Sequence, residues 1–179
     1  MTSWLYLLRD LCQLRRGPQD MPYSPPLLVA VCAANLLLQL GIAHLVGVGA
    51  GGDTLGAGLI GLALNLGLLY GLLTLRGFAN RFVQAALALI GCAIVFSLLS
   101  LPVVLATGAR ALAPETITPL QALLALLAFP IVIWKLVVDA HILRHSLDIP
   151  FLGGLVVALL WVVAELVLAS ALRGPGLGT

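Results

Sequence analysis

Six residues able to pair, bind or carry protons fall within one short stretch, Trp134 to Asp148: Lys135, Asp139, His141, Arg144, His145 and Asp148. Residues four apart share a helix face, so the spacing predicts three pairs: Lys135 with Asp139, His141 with His145, and Arg144 with Asp148. Two histidines one turn apart can chelate a metal, but a site needs a third ligand and, for hydrolysis, a base. The glutamate of an HExxH motif is absent, since the sequence reads His141-Ile-Leu-Arg-His145. Asp148 could serve as third ligand, yet Arg144 competes for its carboxylate and repels a cation. The expectation is a charged helix end that meets lipid phosphates or a cytoplasmic partner, with no metal and no cofactor.

Glu165 is the other residue whose type conflicts with its surroundings. It lies deep in an apolar segment, where an ionised carboxylate is costly unless it is paired, protonated or wet. His44, near the end of an earlier apolar segment, falls at a similar level. A His44–Glu165 pair is therefore geometrically possible, as a structural hydrogen bond or a proton-handling site. Asn35 and Asn65 fall near the middle of two further apolar segments, where amides bond between helices for about 0.6 kcal/mol each. No GxSxG, no histidine–carboxylate pair around a serine and no phosphate loop accompanies them, so no catalytic residue is assigned and an enzyme is not expected.

The elements holding these residues are set by composition. Of 179 residues, 61% are hydrophobic and only 9% charged, with a mean hydropathy of +1.15. Soluble domains carry about 25% charged residues, so most of this surface must face lipid. The apolar stretches run for about twenty residues, the length of membrane helices, and lack the alternating polarity of barrel strands. A net charge of +2 is too small to indicate nucleic acid. Cys12, Cys32 and Cys92 form no CxxC and no Cys/His ligand pair, and read as small buried hydrophobes.

Taken in order, residues 1–16 predict an amphipathic interfacial helix with Trp4, Leu7, Leu8, Leu11 and Leu14 opposite Arg9, Gln13 and Arg16. Its apolar face can lie among headgroups or pack on the protein itself. Residues 17–26 form a Pro-rich connector. Residues 27–172 carry five spans, at about 27–46, 55–75, 82–106, 119–140 and 150–172, with prolines at 102 and 130 bending the third and fourth. The fourth should continue as helix past the membrane boundary through His145. Residues 173–179 are a polar tail. Gly47 to Gly52 matches GxGxxG, but between two membrane helices it reads as a turn, capped by Asp53 or Thr54. The connector 107–118 carries Arg110 and Glu115, and Thr118-Pro119 suits a helix start. In span two, Ala63, Gly67 and Gly71 form a small-xxx-small ladder that admits a neighbouring helix.

With the N-terminus in the cytoplasm, Arg9, Arg15, Arg16, Arg76, Arg81, Lys135 and Arg144 fall inside, and Arg110 and Arg173 outside. Seven plus two accounts for all nine basic residues, and the bias predicts N-in, C-out. Trp134 and Tyr23 then fall at the inner interface, where Lys135 can extend its stem to the headgroups.

Five close spans behind a cytoplasmic segment, the glycine-rich span two, and the Trp134-Lys135…His141…Arg144 end of span four resemble the Yip family of multispanning membrane proteins over residues 24–172. In eukaryotes that family is associated with Rab proteins and vesicle traffic. The long acidic and aromatic N-terminal region of those relatives is replaced here by Gly17-Pro-Gln-Asp-Met-Pro-Tyr23, and no functional residue transfers. The Leu/Ala/Arg-rich composition points to a bacterial inner (plasma) membrane.

The fold class expected is all-α: a polytopic integral membrane bundle of about five transmembrane helices preceded by the interfacial helix. The function expected first is that of a non-enzymatic accessory or scaffold subunit. It would contact a membrane-protein partner or its own copies through the 134–148 face. The alternative is a small oligomeric transporter or channel using Glu165 and His44.

Overall fold

The computed structural model describes residues 2–47, 53–107 and 119–173. Most of the GxGxxG loop, the connector with Arg110 and Glu115, the Thr118 cap and the tail after Arg173 lie outside the described residues. The chain is an all-α bundle with no strand among them. Six α-helices follow one another: α1 Thr2–Cys12, α2 Pro25–Val46, α3 Asp53–Leu75, α4 Phe82–Thr107, α5 Pro119–Leu147 and α6 Phe151–Arg173. The last five are long and apolar enough to cross a membrane. This is a multi-pass membrane protein.

α1 stops sooner than the amphipathic pattern suggests. Leu14 turns into the left-handed region (φ 60°), and the Arg15 amide donates back to the Asp10 carbonyl, a Schellman-type closure. Its Leu8, Leu11 and Cys12 are buried against α4 and α5 rather than presented to headgroups. Gly91 makes this seat, since a Cβ there would lie 2.6 Å from Leu8 Cδ2. Trp134 Nε1 donates to the Cys12 carbonyl at 2.9 Å, so this tryptophan anchors α1 instead of standing alone in the interface.

The connector is held rather than loose. Pro18–Asp20 forms one 3-10 turn, with Gly17 N donating to Asp20 Oδ2. Gln84 of α4 donates to the carbonyls of Gln19 and Met21. Ser24 then caps α2, accepting from the Leu27 amide, with Pro25 and Pro26 filling the first helical positions.

α2, α4 and α6 begin, and α3 and α5 finish, at one end of the bundle, called here the near end. The basic turn Arg76–Arg81 has a clear task there. Arg76 donates to the Leu147 carbonyl and Arg81 to that of His145, satisfying carbonyls that the end of α5 leaves free. α5 and α6 approach closely at Gly154, where a Cβ would meet the Ala140 carbonyl oxygen at 2.5 Å. The Ala63-Gly67-Gly71 ladder of α3 is not used in this way, as nothing lies within 4 Å of a Cβ placed on Gly67 or Gly71.

Candidate functional site

All five spans contribute walls to one cavity of about 550 Å³. Its polar side chains are Asn35 and Gln39 of α2, Asn65 of α3, Ser97 and Ser100 of α4, Lys135 and Asp139 of α5, and Trp161 and Glu165 of α6. Counted from the near end at 1.5 Å per residue, these groups lie between about 12 and 27 Å along their helices. The layer is therefore within the depth of the hydrocarbon core.

Lys135 Nζ donates to Asp139 Oδ2 at 2.5 Å, as the i,i+4 spacing requires. The pair faces the cavity rather than the headgroups, and the Asp139 side chain is only 15% exposed. Glu165 lies on the adjoining helix and lines the same space. Among the described residues it makes no hydrogen bond and no ion pair. Two carboxylates thus share the cavity with one ammonium.

The amides are placed unequally. Asn65 donates to the Gly61 carbonyl and accepts from Trp161 Nε1 at 2.7 Å, which ties α3 to α6. Gln39 and Ser97 approach at 3.5 Å. Asn35 Oδ1 is buried without a hydrogen-bond partner among the described residues, an acceptor that calls for an explanation. Phe96 and Trp161 provide aromatic walls.

His44 is exposed on α2 and does not line the cavity. His44 also lies about 28 Å from the near end against about 21 Å for Glu165, and the acid instead shares its space with the α5 ion pair.

The remaining charged residues of the 134–148 stretch are committed elsewhere. His141 is buried, and its Nε2 lies 3.1 Å from the Arg16 carbonyl. Since a carbonyl only accepts, this nitrogen carries the hydrogen. The His145 ring stands edge-on to it at 4.6 Å and accepts from Arg144 Nε at 3.3 Å. Arg144 and Asp148 do not pair. α5 ends at Leu147 and Asp148 turns to φ 53°, with the Ile149 amide returning to the Arg144 carbonyl. No group of three metal-ligating residues occurs among the described residues. This end of α5 clamps the N-terminal segment.

Cys12 and Cys92 are more than the isolated buried hydrophobes their spacing suggests. Eighty residues apart, they place their sulfurs at 3.4 Å inside the α1–α4 contact. No local spacing marks such a pair, because only the folding of α1 onto α4 creates it.

Comparison with protein-family models, with curated proteins and with solved structures finds no match to this chain.

Proposed function

We propose that this protein binds a small organic cation, such as a protonated amine, in its central cavity and carries it across the membrane. The observation behind this reading is the excess carboxylate: Glu165 stands unpaired beside the Lys135–Asp139 pair at mid-membrane depth. An intramembrane ion pair can be structural, but a third ionisable group with no partner marks a pathway or ligand site by default. The cavity volume suits a small ligand and exceeds what a bare ion needs. Its aromatic and apolar walls accommodate the carbon skeleton and face of a cation. The reading assigns no catalytic step to the chain.

Calorimetry on the detergent-purified protein with ethylammonium, spermidine and tetramethylammonium tests it. Binding of at least one cation is expected, reduced tenfold or more by Glu165→Gln, with uptake of the same cation into proteoliposomes. No binding by any of the three, or binding indifferent to both Glu165→Gln and Asp139→Asn, overturns it.

The open ladder Ala63-Gly67-Gly71 favours a second reading: that α3 docks a further membrane helix and the protein serves as an accessory or scaffold subunit. The Yip-type resemblance and a bacterial inner-membrane location belong with this reading. Extraction in mild detergent followed by mass determination separates the two. A stoichiometric partner lost on Gly67→Val supports the scaffold, and a monomer that binds cations supports the carrier.

A further inference from the structure

We propose that Cys12 and Cys92 form an oxidation site, closing to a disulfide that locks the N-terminal helix onto the third span. Both thiols are free and buried, with their sulfurs 3.4 Å apart. A disulfide needs about 2.05 Å, so the closure asks for little over one ångström of sulfur movement. Such a shift lies within side-chain rotation where neither helix backbone need travel far.

The surroundings hold the two sulfurs face to face. Leu8 and Leu11 seat α1 against Ala88 and Cys92 of α4, and the Gly91 gap admits the Leu8 methyls. The Trp134 indole pins the carbonyl of Cys12 itself. Cys32, by contrast, is half-buried on α2 and takes no part in the pair. When Cys12 ionises, the neighbouring Cys92 thiol can donate to the thiolate. That hydrogen bond holds Cys12 below the ordinary thiol value, against burial and the Asp139 carboxylate, which push the other way. Cys12 is accordingly the first nucleophile.

With a peroxide as oxidant, the Cys12 thiolate attacks one peroxide oxygen and the O–O bond breaks, giving a sulfenic acid and, after protonation, water. The Cys92 sulfur then attacks the sulfenic sulfur, the S–S bond forms, and the hydroxyl leaves with the Cys92 proton as a second water. Two thiols are oxidised by two electrons, and one peroxide is reduced to two waters. A thiol reductant reverses the change. Oxidation thus converts α1 from a helix held by packing into one held covalently, closing a loop of 80 residues.

The full-length protein in detergent, treated with hydrogen peroxide and then alkylated, tests the proposal by mass spectrometry. The expected result is an intact chain lighter by two hydrogens, a linked peptide containing Cys12 and Cys92, and Cys32 still alkylated. In Cys92→Ser, the sulfenic acid of Cys12 should persist and be trapped by dimedone. Wild-type protein that keeps Cys12 and Cys92 alkylatable at the rate of Cys32 overturns the proposal. So does wild-type protein that yields a dimedone-trapped Cys12 with no linkage to Cys92. Because the wild-type chain carries the decisive readout, misfolding of the serine variant leaves the test intact.

Discussion

Lys135, Asp139 and Glu165 sit on two neighbouring helices and line one cavity, with the ammonium bonded to Asp139 and Glu165 unpaired. Removing the ammonium leaves both acids in a low-dielectric space with nothing to compensate them. Lys135→Ala is therefore expected to destabilise the protein by about 3 kcal/mol, the scale on which a broken buried pair is measured. Lys135→Ala combined with Asp139→Ala should recover much of that loss, because the carboxylate stranded by the first change goes with the second and only Glu165, unpaired from the start, remains. Thermal unfolding of the wild type, Lys135→Ala, Asp139→Ala and the double variant in one detergent checks both expectations, and additive losses would show that the pair is not coupled. The sequence made these residues conspicuous, since so few ionisable groups interrupt the apolar segments. It also supplied the Lys135–Asp139 register, which is local. It could not pair Glu165 correctly, because helix rotation about the bundle axis is set by packing across α5 and α6. His44 lies about 28 Å from the near end against about 21 Å for Glu165, and it does not line the cavity.

At the scale of elements, the close approach that matters is Gly154 on Ala140, between α5 and α6. A side chain at 154 would meet a backbone oxygen at 2.5 Å and the Arg144 backbone nitrogen at 3.2 Å, neither of which can rotate away. Gly154→Ala should cost about 1–3 kcal/mol, the range for overpacking a tight contact. Gly67→Ala meets nothing within 4 Å. In the monomer it should be neutral or stabilising by up to about 1 kcal/mol, since alanine is the better helix former. Melting temperatures of the two variants test the contrast. The contrast also shows where sequence reading of elements stops. Five runs of about twenty apolar residues bounded by Pro, Gly and charge made the five long apolar helices legible. A small-xxx-small pattern states only that a helix can come close, so the obvious ladder on α3 remained open while an unmarked glycine made the contact. For the same reason α1 was legible as amphipathic, but its partner was not. The gap at Gly91 that receives Leu8 becomes meaningful only once α1 crosses α4.

Across the whole molecule, packing is uneven along the membrane normal. Among the described residues of the five spans, every buried one lies within about 21 Å of the near end, the farthest being Phe96. Beyond that depth, α5 turns Leu123, Leu126, Leu127 and Phe129 outward, and α6 does the same with Leu166 and Val167. α1, the 3-10 turn and the arginine-capped end of α5 cover the near end, so the mouth of the cavity is expected on the opposite side. Basic residues say which side that is. Lys135 points into the cavity and drops out of the orientation count, yet six of the remaining eight, Arg9, Arg15, Arg16, Arg76, Arg81 and Arg144, still cluster at the near end. That bias predicts a cytoplasmic near end and, with it, a cavity mouth on the outside. In a variant with its three cysteines replaced, Ser100→Cys should react with a membrane-impermeant maleimide added to intact cells, and Ala86→Cys, buried at the near end, should not. Ethylammonium or another bound cation should slow the Ser100→Cys reaction, because it occupies the same cavity. Labelling of Ser100→Cys only after the membrane is opened would reverse the orientation. Labelling of neither variant under either condition would mean that the cavity is closed in the membrane, and would remove the outward route on which the carrier reading depends.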